Sequence, residues 1–259
     1  MNLYSFTFYL DFDGVIADSA QECINTSFLA WLSYNQEIKK VFSKKDFEIF
    51  QNHVIKKALN YRYLVTPPEH YYCLIDFIAE EVKSRNKGLT NKIAKKKFLN
   101  SLKSAKPILL ENFKKTFFLV RRERLKKEGK SNWFSENRPT KFIENFLRII
   151  KEKNCELIII SRKDRKSISL WLDEKKMYVS QIFCNESLEK YEGSKYKLID
   201  YLQKQRNYRK GIFIDDSVEE IISENWKRIS ITPIVAGWGY NLRRDNSDIV
   251  LKNIQKKII

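Results

Sequence analysis

The chain has 259 residues, of which 43% are hydrophobic, and it carries a formal net charge of +17. This length is enough to bury a core without disulfides, and the apolar fraction excludes an intrinsically disordered chain. Four scattered cysteines without a CxxC pair and only two histidines argue against a zinc site and indicate free thiols in a reducing compartment. No stretch approaches about eighteen consecutive apolar residues, so we expect a cytoplasmic protein with no membrane partner.

The N-terminal segment predicts a buried strand. Residues 4–10, YSFTFYL, are apolar and aromatic, and no basic residue precedes them, which fits a strand better than a secretory signal. After this segment, apolar residues recur at helical spacing from Ala20 to Leu32, and no strand-like run follows before residue 136. Further helices are predicted over residues 43–60, 68–84, 90–105 and 107–127.

The pattern changes after residue 135, where short runs rich in Ile and Val alternate with helical periodicity. Strands are predicted over residues 155–161, 180–185, 211–217 and 229–237. Helices are predicted around them over residues 139–153, 165–176, 194–205 and 217–226. Such alternation is typical of a parallel sheet with helices on both faces. We therefore predict an α/β, Rossmann-like core formed by residues 1–18 and 136–259, and an all-helical domain formed by residues 19–135.

The basic charge is distributed unevenly between these two regions. Residues 19–135 hold 24 Lys and Arg against 11 Asp and Glu, a net of +13, whereas the remainder holds 25 against 21, a net of +4. A genome rich in A and T would raise the lysine content of the whole chain, but it does not explain why acidic residues are scarce in one segment. Binding of an anion would explain that scarcity.

The most specific motif is Asp11-Phe12-Asp13-Gly14, directly after the first predicted strand. A calcium-binding EF-hand loop also opens with D-x-D, but it needs Gly at its sixth position, and Gly14 stands at the fourth. That alternative is therefore excluded.

Polar side chains stand at the carboxyl ends of several predicted strands, where parallel sheets bind their ligands. Asp11 and Asp13 follow the first strand, Ser161 ends the strand at 155–161, and Asp215-Asp216 end the strand at 211–217. Lys195 lies at the start of the helix that follows the strand at 180–185. Crowded carboxylates repel one another unless a cation neutralises them, and ligands that are all oxygen suit Mg²⁺.

Four segments in this order resemble motifs I to IV of the haloacid dehalogenase (HAD) superfamily: DFDGVIADS, LIIIS, GSKYK and IFIDDS. The helical insert directly after the first motif resembles the cap domain that many small-molecule phosphatases and sugar phosphomutases of that superfamily carry there. The resemblance covers the core well, whereas the cap matches only in its position and helical character.

The resemblance implies roles for the four aspartates. Asp11 resembles the nucleophile that attacks phosphorus, and Asp13 resembles the general acid that protonates the leaving oxygen and then acts as a base toward water. Mg²⁺ would be held by the carboxylate of Asp11, the backbone carbonyl of Asp13 and the carboxylate of Asp216, with Asp215 in support.

The resemblance also assigns the phosphate-binding residues. Ser161 would donate a hydrogen bond to a phosphoryl oxygen, and Lys195 would supply positive charge beside it. Lys197 is the alternative lysine of the third motif, but Lys195 is nearer to the strand end.

The resemblance implies a Mg²⁺-dependent phosphatase that hydrolyses a small phosphorylated metabolite through an aspartyl-phosphate. The acidic residue at position 13 favours phosphoryl transfer over carbon–halogen cleavage in this superfamily. A sugar phosphomutase remains an alternative, and so does a non-catalytic module that uses its basic cap to bind nucleic acid. A nucleic-acid partner is the less expected reading, because a binding module would have no need of a complete catalytic set.

The basic helical domain further predicts a substrate with an anionic group beyond the phosphate that is cleaved. Arginines suit a second phosphate or a carboxylate. Candidate substrate contacts are Arg62 and the cluster of Arg121, Arg122 and Arg124, with Arg62 and Arg122 as the preferred pair.

Overall fold

The structure, a computed structural model, describes residues 6–84, 89–151, 153, 155–222, 224, 226–241 and 247–258. The chain divides into two compact units, one formed by Met1–Ser19 with Arg138–Ile259 and the other by Ala20–Asn137. These divisions fall one residue and two residues after the predicted boundaries at residues 18 and 135. Residues 4 and 5 of the first predicted strand lie outside the described residues.

The first unit is built on a parallel sheet of five strands in the spatial order β5-β4-β1-β6-β7, with a separate antiparallel pair, β2 and β3. Along the chain the strands are β1 (Phe6–Leu10), β2 (Ala17–Asp18), β3 (Arg138–Pro139), β4 (Cys155–Ile160), β5 (Gln181–Phe183), β6 (Gly211–Asp215) and β7 (Ile231–Val235). The predicted α/β, Rossmann-like class is confirmed, because β1 pairs in parallel with β4 on one side and with β6 on the other. The carboxyl ends of these three strands therefore lie side by side.

In the second unit, the regular elements that the structure describes are all helical. The α-helices are α1 (Ala20–Tyr34), α2 (Ile38–Val41), α3 (Lys44–Asn60), α4 (Tyr71–Lys83), α5 (Asn91–Ser104) and α6 (Pro107–Ser135). Side-chain caps begin two of them, since Ser43 accepts from the N–H of Asp46 and Thr90 accepts from the N–H of Ile93. The last helix extends beyond the predicted residue 127 because the chain passes through a kink at Gly129, where φ is 77°, and then continues.

The remaining helices belong to the first unit. They are α7 (Lys141–Lys151), α8 (Arg165–Lys175), α9 (Asn185–Leu188), α10 (Lys195–Gln205), α11 (Val218–Ile222) and α12 (Ser247–Ile258). The helix predicted over 217–226 is shorter than expected, because α11 ends at Ile222 and a separate 3₁₀ turn occupies Trp226–Ile229. Helices α9 and α12 were not predicted.

The Ile-rich strands form the core of the first unit. Phe8, Leu10, Ile159, Ile212 and Ile214 are all fully buried, which is why their segments read as continuous apolar runs rather than as alternating ones. The backbone N–H of Asp11 continues the ladder past the end of β1 by donating to the carbonyl of Ile214 at 2.9 Å. Asp11 is thereby fixed to the neighbouring strand.

The second unit has a core of its own that contains many aromatic rings. Phe28, Phe50, Phe113 and Phe117 are buried in a single cluster with aliphatic residues of α1, α3 and α4. Within the described residues, none of the helices is both long enough and apolar enough to pass through a bilayer.

Candidate active site

Three neighbouring strands position the predicted carboxylates and hydroxyl. Asp11 follows β1, Ser161 follows β4, and β6 ends in Asp215 with Asp216 immediately after it. Because β1 lies between β4 and β6, these residues reach the same edge of the sheet. Each of Asp11, Asp215 and Asp216 offers one carboxylate oxygen, and these three oxygens lie within 4.8 Å of one another. This acidic group is therefore a candidate metal site.

Two glycines leave room for Asp216 in this cluster. Gly14 has a φ of +81°, and a Cβ at this position would lie 2.7 Å from Oδ2 of Asp216. A Cβ on Gly239 would collide with the Cβ of Asp216 from the other side. The backbone N–H of Tyr240 then donates to Oδ2 of Asp216 at 2.9 Å. Glycine at position 14 is thus required both by its backbone conformation and by the close approach of a carboxylate.

Lys195 contacts two of these carboxylates. Its Nζ lies 3.0 Å from Oδ1 of Asp11 and 2.7 Å from Oδ2 of Asp215, and the residue is 2% exposed. It is the first residue of α10, whose N-cap Ser194 accepts from the N–H of Lys197. Lys197 itself pairs with the exposed Glu192, so the structure brings Lys195, and not Lys197, to the carboxylates.

Ser161 is buried beside the predicted nucleophile. It is 1% exposed and hydrogen bonds to the Asp11 carboxylate, and its Oγ also accepts from the backbone N–H of Lys163 at 3.3 Å. The hydroxyl therefore lies next to the atoms of Asp11 with which a phosphoryl group would react.

Asp13 is held by residues that the sequence analysis did not single out. Lys163, 2% exposed, places Nζ 3.0 Å from Oδ1 of Asp13, and the hydroxyl of Ser19 donates to the same oxygen. Ser19 in turn donates its backbone N–H to the hydroxyl of Tyr240. Asp13 is thus connected to the loop that also holds Asp216.

No family model matches the chain, and no curated protein matches its sequence. Solved structures do match. A predicted phosphatase from Clostridium acetobutylicum is 17% identical, with a TM-score of 0.57 over 98% of this chain and 100% of that one. A predicted phosphoglycolate phosphatase from Haemophilus somnus 129PT is 13% identical, with a TM-score of 0.54 over 98% and 99% of the two chains.

The chain has the fold of these two structures, an α/β fold of the kind that the resemblance to the haloacid dehalogenase superfamily implies. At these identities the likeness establishes the fold and leaves the activity to be argued from the residues. This fold accounts for the position of the acidic cluster, since the cluster lies at the carboxyl ends of the parallel strands on either side of the point where the strand order reverses.

Burial governs the electrostatics of the predicted nucleophile, Asp11. It raises the pKa of Asp11 to about 6; the ammonium of Lys195 opposes that rise, and the carboxylates of Asp215 and Asp13 add to it. Burial lowers the pKa of Lys195, but Asp11 and Asp215 outweigh it, so the pKa of Lys195 lies above its ordinary value. The lysine is therefore an ammonium at neutral pH.

The donor set fits a divalent cation. Asp11, Asp13, Asp215 and Asp216 offer four carboxylates against the two ammoniums of Lys163 and Lys195, which leaves a charge of about −2 when all are ionised. Oδ1 of Asp11 is buried and accepts no hydrogen bond from the described residues, although the Lys195 ammonium lies 3.0 Å away. Both observations favour a hard cation at this cluster.

Lys163, Ser19 and Tyr240 are site residues that the sequence did not predict. Lys163 lies two residues beyond Ser161, the end of its predicted strand, and one lysine does not stand out in a chain with 49 basic residues. Tyr240 lies beyond the carboxyl end of β7 (Ile231–Val235), a predicted strand. Because ligands of parallel sheets bind at the carboxyl ends of strands, the position of Tyr240 after β7 is the signal that could have identified it.

The arginine cluster of the helical unit requires a correction. Arg121 is 2% exposed and pairs with the buried Glu22 at 2.7 Å. Arg124 is 7% exposed and pairs with Glu128 at 2.8 Å and with Glu136 at 2.9 Å. Both guanidiniums are satisfied by acids of their own unit, so they stabilise its packing, and the interpretation of these two arginines as substrate contacts was wrong.

The other two candidate arginines differ from each other. Arg62 donates from Nη1 to the carbonyl of Val65 at 2.7 Å, and its guanidinium lies 5.1 Å from the centre of the Tyr71 ring. Arg122 is exposed on α6. Their role as substrate contacts stays a prediction, and Arg122 is the more accessible of the two.

Proposed function

We propose that the chain is a Mg²⁺-dependent phosphatase that hydrolyses a small phosphorylated metabolite through an aspartyl-phosphate intermediate. The observation that carries the proposal is the convergence of Asp11, Asp215, Asp216, Lys195 and Ser161 at one edge of the sheet. Both solved structures compared above are described as phosphatases, which supports the same reaction class.

The cation would be held by the carboxylates of Asp11 and Asp216 and by the backbone carbonyl of Asp13, with Asp215 in support. Asp215 is suited to a supporting role because it already pairs with Lys195 at 2.7 Å and accepts from the N–H of Ser217 at 2.8 Å. When bound, Mg²⁺ supplies positive charge that offsets the carboxylates and the phosphate.

In the first step, an oxygen of Asp11 attacks phosphorus and the bond from phosphorus to the leaving oxygen breaks. The nucleophile must be ionised, and the ammonium of Lys195 at 3.0 Å favours that form. Asp13 transfers a proton to the leaving oxygen as it departs. Ser161, next to Asp11, donates a hydrogen bond to a non-bridging oxygen of the transferring group.

In the second step, Asp13 is a carboxylate and takes a proton from water as the water oxygen attacks phosphorus. The bond between phosphorus and the Asp11 oxygen breaks, which releases inorganic phosphate and restores the carboxylate. Lys195 and Ser161 remain beside the same phosphoryl oxygens throughout. Each proton that leaves Asp13 in the first step is thus returned in the second.

The substrate, we further propose, carries an anionic group beyond the phosphate that is cleaved. This rests on the net charge of +13 in residues 19–135. Since Arg121 and Arg124 are neutralised by acids within the unit, exposed basic residues such as Arg122 would have to supply the attraction.

A panel of phosphorylated metabolites tests the proposal through release of inorganic phosphate. We expect Mg²⁺-dependent turnover of at least one compound, and chelation should abolish it. Asp11→Asn should lower kcat by about 10³-fold or more, since the variant lacks the nucleophile. Asp173→Asn, a change of the same kind at an exposed position of α8, is the matched control. Most of kcat surviving in Asp11→Asn would exclude the covalent mechanism.

A further inference from the structure

Oδ1 of Asp13 is contacted by two donors that come from different parts of the chain. The ammonium of Lys163 lies 3.0 Å from it, and the hydroxyl of Ser19 donates to it. Lys163 comes from the loop after β4, whereas Ser19 directly precedes α1. Two independent donors on a single carboxylate oxygen fix the rotation of that carboxylate better than either alone.

Lys163 is placed there by a loop that is held by hydrogen bonds on both sides of it. Its backbone N–H donates to Ser161 at 3.3 Å, and its carbonyl accepts from the N–H of Asn185 at 3.4 Å. The next residue, Asp164, caps α8 by accepting from the N–H of Ser167 at 3.0 Å. The lysine side chain is fully buried, and burying an ammonium is costly unless it is paired. The ion pair with Asp13 therefore compensates the cost of burying the Lys163 ammonium.

The two buried lysines, Lys195 and Lys163, each contact carboxylates of the site. Lys195 pairs with Asp11 and Asp215, beside the atoms that would bind the phosphoryl group. Lys163 pairs with Asp13 and lies 5.7 Å from the centre of the Phe12 ring. A second buried lysine therefore contacts the predicted acid and base, Asp13.

We propose that Lys163 is a positioning residue for Asp13. Together with Ser19 it holds Oδ1, so that Oδ2 is the atom that gives a proton to the leaving oxygen and later takes one from water. The proposal rests on the proposed phosphatase function and adds to it a residue outside the four motifs. Lys163 need not touch the substrate in this role.

The dependence of rate on the leaving group tests this role. A poor leaving group needs the proton from Asp13, whereas a good one departs without it. We would measure kcat/KM, which reports the steps up to departure of the leaving group, with phenyl phosphate and with 2,4-dinitrophenyl phosphate. Lys163→Met should lower the value for phenyl phosphate by about 10²-fold and the value for the dinitrophenyl ester by less than about threefold.

Three further variants make the result decisive. Ser19→Ala removes the other donor and should show the same selective loss to a smaller degree, which covers the case in which Lys163→Met does not fold. Lys163→Arg keeps the charge and should recover part of the phenyl phosphate rate. Lys166→Met, at an exposed position of α8, is the matched control and should change neither value.

The failures of the two proposals are distinguishable. If the wild-type protein hydrolyses neither ester and no metabolite, the phosphatase function fails, and the role of Lys163 fails with it. If the wild type turns over both esters and Lys163→Met slows both equally, or neither, the positioning role alone is wrong. Trapping of Asp11 by beryllofluoride with Mg²⁺ in Lys163→Met should remain as in the wild type, because that adduct needs no proton transfer.

Discussion

The two units of this chain both bury charged side chains, but they use them differently. In the helical unit, buried Arg121 forms an ion pair with Glu22 at 2.7 Å. Arg124 forms ion pairs with Glu128 in the same helix and with Glu136 at its end. In the α/β unit, buried Lys195 faces Asp11 and Asp215 where three strands end. The first arrangement neutralises charge inside a helix bundle. The second leaves more carboxylates than ammoniums, an excess of negative charge that a bound cation could balance.

Burial of a charge is therefore not by itself a sign of function. Removing one partner of a buried pair is destabilising in either place, but only at the strand ends should it also change the chemistry. The location of the pair in the fold therefore decides its meaning.

The largest expected effect is on the stability of the helical unit. Arg121→Met leaves the buried Glu22 without its guanidinium and should lower the free energy of unfolding by about 3–5 kcal/mol. Denaturant unfolding measures this, with Arg122→Met at the exposed neighbouring position as the control. At a temperature where the variant is folded, kcat should stay within about threefold of the wild type. A large fall in kcat of the folded Arg121→Met variant would show that this buried ion pair also affects activity, contrary to the difference between the two units.

The counterpart in the α/β unit is Lys195→Met. It removes the positive charge beside Asp11 and should lower kcat by about 10²- to 10³-fold, the range typical of losing one electrostatic contact in a transition state. Lys197→Met is the matched control, because Lys197 pairs with the exposed Glu192 instead. The same loss in both variants, or a greater loss in Lys197→Met, would assign the phosphate lysine to position 197.

Much of the fold was predictable because its signals are local. Runs such as CELIIIS are apolar throughout, and they became the buried strands of a parallel sheet in the expected class. Once parallel strands are predicted, the residues after them must meet at one edge, so the meeting of Asp11, Ser161 and Asp215 could be predicted as well. Each of these steps needs only neighbouring residues and the geometry of a sheet.

The remainder depends on contacts that are distant in the chain. Lys163 and Asp13 are 150 residues apart, and Tyr240 and Ser19 are 221 apart, so no local pattern marks them as partners. The sequence around Arg121 and Arg124 likewise does not predict which acidic residues pair with them. Helix α12 has a helical pattern but was overlooked, and the extension of α6 through Gly129 follows from packing after a residue that usually ends a helix.

A smaller effect is expected from substituting Gly14, which lies against the carboxylate of Asp216. Gly14→Ala forces a Cβ to within 2.7 Å of Oδ2 of Asp216, so it should displace that carboxylate and raise the Mg²⁺ concentration for half-maximal activity by at least about tenfold. Gly193→Ala carries a similar backbone strain, since φ is +72° there, but no described atom lies within 4 Å of its Cβ. A Mg²⁺ titration of both variants separates displacement of Asp216 from strain. Equal shifts would argue that Asp216 does not hold the metal.

The smallest expected effect concerns Arg122 and the charge of the helical unit. Because Arg122 is exposed, its attraction for an anion is screened by water and salt, and Arg122→Gln should raise KM by about fivefold at most. The rise should appear with a substrate that carries a second anionic group and not with p-nitrophenyl phosphate, which offers none. Lys96→Gln, an exposed basic change on α5, is the control for general attraction by a basic surface. Equal changes in KM for both substrates would show that the basic charge of this unit attracts phosphates without selecting among them. If KM changed for neither substrate, a lysine-rich composition set by the genome would explain the basic charge of the unit.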